Sequence, residues 1–114
     1  MKGFKSTINN RSASFRTNKE AMKELVNELN SYLEISHIQG NDIALKRAKD
    51  RGKSLTRDKI HKLLDKESPF LELMPLAGLK HENGFGPGGT TIAGIGLVNN
   101  KLCIINANIG TKKG

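Results

Sequence analysis

The sequence has no tryptophan, one tyrosine and only 4% aromatic residues, so it holds few of the rings on which single-stranded nucleic acid stacks. Its single cysteine, Cys103, excludes an internal disulfide framework and fits a reducing compartment. Cys103 lies in an apolar run and reads as a small core residue. His37, His61 and His81 share no metal-ligand spacing with one another or with Cys103, so no metal site is expected. No apolar run reaches the roughly 18 residues of a membrane span, and the N-terminus lacks the apolar centre of a secretory signal. These shortages point to a cytoplasmic protein without membrane association.

What the chain does contain is positive charge, unevenly placed. A length of 114 residues allows one domain, which buries about two-thirds of the surface exposed on unfolding. The formal charge is +8, and most of it lies between Lys46 and Lys66. That stretch holds Lys46, Arg47, Lys49, Arg51, Lys53, Arg57, Lys59, Lys62 and Lys66 against Asp50, Asp58 and Asp65. Such a cluster attracts nucleic acid, a membrane surface, a phosphorylated cofactor or an acidic partner, or else is a solvated basic face. Phe70 is the only ring nearby, which disfavours single-stranded nucleic acid.

Taken in order, residues 1–17 are polar and aperiodic, with Phe4, Ile8 and Phe15 isolated in an extended arm. From about Asn18, Met22, Leu25, Val26, Leu29, Tyr32 and Leu33 recur at spacings of three and four. The spacing predicts an amphipathic helix capped by Thr17 or Asn18 and stopped at Gly40. A second helix is predicted from Asn41 or Asp42 to Gly52, and a third capped by Thr56 with Ile60, Leu63 and Leu64 on its buried side. Ser68-Pro69 ends the helical part, and Phe70 to Leu76 reads as extended.

The loop GLKHENGFGPGGTT holds Gly84, Gly86 and Gly89 in a literal GxGxxG. Pro87 interrupts it and a β-prone run follows, so turn chemistry explains the glycines better than a dinucleotide site. Thr91–Val98 and Lys101–Ala107 then form a hairpin around Asn99-Asn100, a pair that tolerates the positive φ of a tight turn. Apolar residues fall on both of its faces, so both are expected to be covered. Gly94 and Gly96 share one face and leave room there for another element.

These residues together carry a resemblance. SFRTNKEAM at Ser14–Met22, the Arg51-Gly52-Lys53 turn with Arg57, Asp58 and Ile60, and LLDKESPFLEL at Leu63–Leu73 are its first part. PLAG at Pro75–Gly78, AGIGLVNNKLCIINAN at Ala93–Asn108, and Thr111 with Lys113-Gly114 complete it. In this order and spacing the chain resembles the N-terminal part of the biotin-dependent acyl-CoA carboxyltransferases, most closely the methylcrotonoyl-CoA carboxylase β subunits. It departs from the family pattern at Ala48, where the family has His, at Ser54 (Leu), at Ile109 (Asp) and at Lys112 (Val).

The resemblance implies an α/β fold in which N-terminal helices lead into the first strands of a crotonase-like carboxyltransferase N-domain, here incomplete. It divides the chain into an arm (1–17), a helical segment (18–66) and the truncated start of that domain (67–114). It implies transfer of a carboxyl group from carboxybiotin to 3-methylcrotonoyl-CoA, a step of leucine degradation. Such a transfer needs backbone donors for an enolate-like oxyanion and for the ureido oxygen of biotin. In the family both come from glycine-rich turns beyond this chain, so no catalytic residue and no chain-bound cofactor is expected in it. Biotin would arrive on a biotin carboxylase or carrier subunit, and further copies of the carboxyltransferase subunit would be partners. In a eukaryotic source the compartment would be the mitochondrial matrix, although no transit peptide is seen. Arg51, Lys53 and Lys113 are the candidates to meet the phosphates of acyl-CoA. The competing expectation is a small basic module that binds RNA or an acidic protein through Lys46–Lys66.

Overall fold

The computed structural model describes residues 3–81 and 84–113. Glu82 and Asn83 of the glycine-rich loop, and Gly114 of the final motif, lie outside the described residues. Three helices precede a three-stranded sheet: α1 (Ala13–Ser36), α2 (Asp42–Asp50), α3 (Thr56–Leu63), β1 (Leu71–Leu73), β2 (Thr91–Val98) and β3 (Lys101–Asn108). Residues 1–31 form one compact unit and residues 32–114 another.

In the first unit α1 begins several residues before the predicted cap. Ser12 Oγ accepts the N–H of Phe15 at 3.1 Å and so caps the helix, whereas the Thr17 hydroxyl donates back to the Ala13 carbonyl from within it. The opening turns carry Phe15 as their only large apolar residue, so a periodicity argument starts too late. Along the helix Met22, Leu25, Val26 and Leu29 are all exposed, an apolar stripe of the expected spacing.

The second unit holds the core. α1 ends at Ser36, four residues before Gly40, and Ser36 is buried with its hydroxyl donating to the Leu33 carbonyl. Gly40 adopts a φ of 151°, and a Cβ there would come within 2.9 Å of the Thr111 carbonyl oxygen. α2 starts as predicted, with Asn41 Oδ1 accepting the Ala44 N–H at 2.9 Å. It ends at Asp50 in a Schellman motif: Gly52, with a φ of 64°, donates to Lys49, and Lys53 donates to Ala48. The Arg-Gly-Lys sequence is therefore the helix stop itself.

The cap of α3 departs from expectation. Leu55 occupies the cap position and offers no side-chain bond, while Thr56, one residue inside, sends its hydroxyl to the Asn108 carbonyl at 3.0 Å. The N–H of Arg57 is instead accepted by Oε1 of Gln39, eighteen residues earlier, at 2.9 Å. A tertiary contact thus replaces the local cap. Ile60 is buried and Leu64 packs against the core, but Leu63 points out, 52% exposed.

The sheet is antiparallel in the order β1-β2-β3, and the Asn99-Asn100 turn has φ values of 49° and 60° as predicted. Gly86, Gly88 and Gly89 adopt positive φ in the turn that leads into β2, so a strand and not a helix follows the glycines. Pairing of Gly94 with Ile105 and of Ile92 with Ala107 sets Ile92, Gly94, Gly96, Cys103 and Ile105 on one face. Ile60, Ile92, Ile105 and Ile109 form the core there, with Leu64, Phe70, Val98 and Ala107 against it. The space at the two glycines is filled by Phe70 at Gly94 and by Leu64 at Gly96. Cys103 is half-buried at the margin of this core.

The opposite face of the hairpin is open in this chain. Leu71, Leu102 and Ile104 lie on it and are 61%, 75% and 81% exposed. The alternation that signalled two buried faces is real, but α3 and Phe70 cover only one.

Candidate functional site

A broad polar concavity lies between α2, the α2–α3 turn, the start of α3 and the turn after β3. It has a volume of about 470 Å³. That is within the range of about 300–1,000 Å³ typical of small-molecule sites. Ala44, Arg47 and Ala48 line it from one side of α2, at spacings of three and four, and Arg51 joins them from the C-cap of that helix. Lys53 enters from the turn, Lys59 from α3, and Asn108, Gly110 and Thr111 from the segment after β3.

This arrangement is held by the same bonds that replace the α3 cap. Thr56 ties α3 to Asn108, Gln39 accepts the Arg57 N–H, and the Thr111 hydroxyl donates to the Gln39 carbonyl. Ile109, 2% exposed, anchors the same turn in the core and donates to Thr90 at 2.7 Å. The walls are fixed by burial, and the cations stand exposed on them.

Four cations line the pocket and no carboxylate does. None of the four makes an ion pair among the described residues. The N-terminus of α3, where Gln39 caps the Arg57 N–H, adds its partial positive charge from the same side. The arrangement can hold an anion.

Of the three residues expected to meet phosphate, the structure brings Arg51 and Lys53 into this pocket. Lys113 does not line it: its Nζ lies 5.8 Å from the centroid of the Phe85 ring. Arg47 and Lys59 had stood out only as members of the basic cluster. The spacing of four between Arg47 and Arg51 is the signal that could have joined the first of them to the site.

A second polar group lies close by. Arg57 grips Glu72 with both terminal nitrogens, at 2.7 and 2.9 Å, across partly buried surroundings. Its Nε is buried without a partner. Burial, and next the charge of Arg57, hold the Lys112 amine below its ordinary range. His37 and His61 line a small cavity beside Arg57 and Phe70. No group of three potential metal ligands occurs among the described residues.

Comparison with known proteins places this architecture. No family model matches the chain. The chain is 46% identical over 92 residues, 81% of its length, to the biotin-dependent 3-methylcrotonyl-coenzyme A carboxylase β1 subunit of Mycobacterium tuberculosis. It is 39% identical over 111 residues to the probable mitochondrial methylcrotonoyl-CoA carboxylase β chain of Drosophila melanogaster. It belongs, over the segment it spans, to the β-subunit family of the biotin-dependent acyl-CoA carboxylases. The crystal structure of the Pseudomonas aeruginosa geranyl-CoA carboxylase β subunit superposes with a TM-score of 0.82 over 97% of the chain at 32% identity. The α/β, crotonase-like reading of the fold agrees with that neighbour.

The chain spans about a fifth of these relatives: 17% of the mycobacterial subunit and 21% of the geranyl-CoA carboxylase chain. No described helix is long and apolar enough to cross a membrane.

Proposed function

We propose that the chain is a segment of an acyl-CoA carboxyltransferase subunit that carries part of its acyl-CoA-binding surface and does not transfer the carboxyl group alone. The observation that carries this reading is the 46% identity with a 3-methylcrotonyl-CoA carboxylase β subunit across most of the chain. The pocket supports it, because its unpaired cations suit the phosphates of coenzyme A, with Arg51 and Lys53 as their first ligands.

Carboxyl transfer requires two sets of backbone donors, one for the thioester oxygen and one for the ureido oxygen of biotin. No step of the transfer is assigned to the pocket, whose lining is dominated by cations. In this reading biotin is carried by a partner subunit, and acyl-CoA is the only substrate this segment touches. 3-Methylcrotonoyl-CoA is the proposed acyl group, the compartment is the cytoplasm, or the mitochondrial matrix in a eukaryote, and further copies of the subunit are partners. The open sheet face at Leu71, Leu102 and Ile104 would then be covered by the rest of the subunit.

A chimera tests the proposal. Residues 1–114 replace the matching segment of a methylcrotonoyl-CoA carboxylase β subunit, which is assembled with its biotin-carrying subunit. The chimera should carboxylate 3-methylcrotonoyl-CoA, and the isolated chain should give no product above a protein-free blank. A correctly assembled but inactive chimera, or avidin-sensitive turnover by the isolated chain, contradicts the proposal.

A further inference from the structure

We infer that Ser54 is a phosphorylation site for a serine kinase that selects basic substrates, and that the phosphate it gains is gripped by the cations of the pocket and shuts the pocket to other anions. The modification site stands on the pocket alone; its effect on acyl-CoA rests on the reading above.

Three hydroxyl groups line the pocket, those of Ser54, Thr56 and Thr111. Thr56 is buried and donates to the Asn108 carbonyl, and Thr111 donates to the Gln39 carbonyl, so both are committed to holding the walls. Ser54 is exposed in the turn between α2 and α3, and its hydroxyl has no hydrogen-bond partner among the described residues. Of the three it is the one that an outside enzyme can reach and that no bond of the fold uses.

The chain around Ser54 has the form such a kinase requires. Arg51 stands three residues before it and Lys53 directly before it, a charge pattern by which basophilic serine kinases choose their substrates. Lys53, Ser54 and Leu55 belong to no helix or strand, and Leu55 is extended, with φ −68° and ψ 158°, so the segment can lie along a substrate groove. Ser14 also follows an arginine by three residues, but it lies within the first turn of α1, its hydroxyl 3.2 Å from that of Ser12. In the reaction Ser54 Oγ bonds to the γ-phosphorus of ATP and the bond from that phosphorus to the β,γ-bridging oxygen breaks. ADP leaves, and the hydroxyl proton passes to the catalytic base of the kinase.

The cations that attract the kinase then act a second time. A phosphoserine brings about 1.5 to 2 negative charges, and opposite an arginine cluster or at a helix N-terminus it gains charge-assisted hydrogen bonds. Ser54 meets both settings. Arg47, Arg51, Lys53 and Lys59 line the pocket with it and make no ion pair among the described residues. α3 begins two residues later, and of its first three N–H groups Gln39 takes only that of Arg57. Asp50 and Asp58, the carboxylates nearest in sequence, do not line the pocket. A phosphate on Ser54 therefore offsets about half of the charge of those four cations from inside the pocket and takes the place of a free anion.

The test starts from the 114-residue chain, ATP and an arginine-directed serine kinase. Tandem mass spectrometry should find phosphate on Ser54 and none on Thr56 or Thr111, and Ser14→Ala removes the competing serine for the measurements that follow. By phosphorus magnetic resonance, the phosphoserine of the folded chain should titrate about one pH unit below the same group in urea, because the cations favour its dianion. Arg47→Ala together with Lys59→Ala, which leave the residues before Ser54 intact, should reduce that difference. The chimera phosphorylated at Ser54 should show a KM for acyl-CoA raised about tenfold with kcat kept, and phosphatase should restore it.

No phosphate on Ser54 of the folded chain, or a phosphoserine that titrates alike when folded and in urea, overturns the site. An active chimera whose KM ignores the phosphate overturns the closing of the pocket. An inactive chimera, beside a chain whose phosphoserine shows the lowered titration, removes the acyl-CoA reading and keeps the modification site.

Discussion

The carboxylate of Asp65 closes the β2–β3 hairpin from outside the sheet: Oδ1 accepts the N–H of Asn99 at 2.7 Å, and Oδ2 accepts that of Asn100 at 2.7 Å. The N–H of Asp65 itself donates to the Leu97 carbonyl at 2.9 Å, so three bonds join the end of α3 to a turn over thirty residues later. The Leu63–Leu73 motif thereby acquires a physical meaning. Asp65 holds the hairpin tip, the Ser68 hydroxyl bonds the Asp65 carbonyl, and Phe70 fills the space left by Gly94. Asp65→Ala should cost about 2 kcal/mol, because two backbone donors lose a charged acceptor. Urea unfolding measures it, and a loss below about 0.5 kcal/mol would show that water replaces the carboxylate without penalty.

Gly96 and Leu64 give a sharper packing test. A Cβ on Gly96 would lie 2.3 Å from Leu64 Cδ2, the far end of a flexible side chain. Gly96→Ala should destabilise the fold by about 1–3 kcal/mol, and combining it with Leu64→Ala should cost less than the sum of the two single changes. Full additivity in a double-mutant cycle would mean that the two residues do not compete for the same space.

The amine of Lys112 is held below its ordinary pKa of 10.5 by burial first and by Arg57 next. The unfolded chain therefore binds the proton more tightly, so stability rises with pH between the lowered folded pKa and the ordinary value. Below that window the penalty is present in full; above it the penalty is gone. Lys112→Val should raise the melting temperature at neutral pH and flatten the alkaline rise. A lower melting temperature in Lys112→Val, with the alkaline slope unchanged, would contradict this.

The open face of the sheet predicts behaviour in solution. Leu102 and Ile104 are exposed, so changing both to Thr should leave stability within about 0.5 kcal/mol while reducing dye binding and self-association. A loss of several kcal/mol would show that this face is already packed in the isolated chain.

How far the sequence disclosed this structure depended on whether the deciding interaction was local. The Asn99-Asn100 turn, the Asn41 cap and the Gly52 helix stop each rest on neighbours within a few residues, and each formed where it was expected. The α3 cap did not, because Gln39 supplies it across eighteen residues and frees Thr56 for Asn108. Leu63 reads as buried from its place beside Leu64, but α3 meets the sheet along only one narrow side. At the site, Arg51 and Lys53 were visible as two cations around a glycine. Their convergence with Arg47 and Lys59, and the distance of Lys113, depend on how the turn after β3 docks.

The measurement that bears most directly on the central claim is the acyl-CoA dependence of the carboxylation rate in the chimera carrying Arg51→Ala and Lys53→Ala together. The pocket reading predicts a KM raised about a hundredfold, roughly one charge-assisted contact for each residue, with kcat and melting temperature kept. An unchanged KM with a lowered melting temperature would contradict it and leave the two cations as the stop of α2.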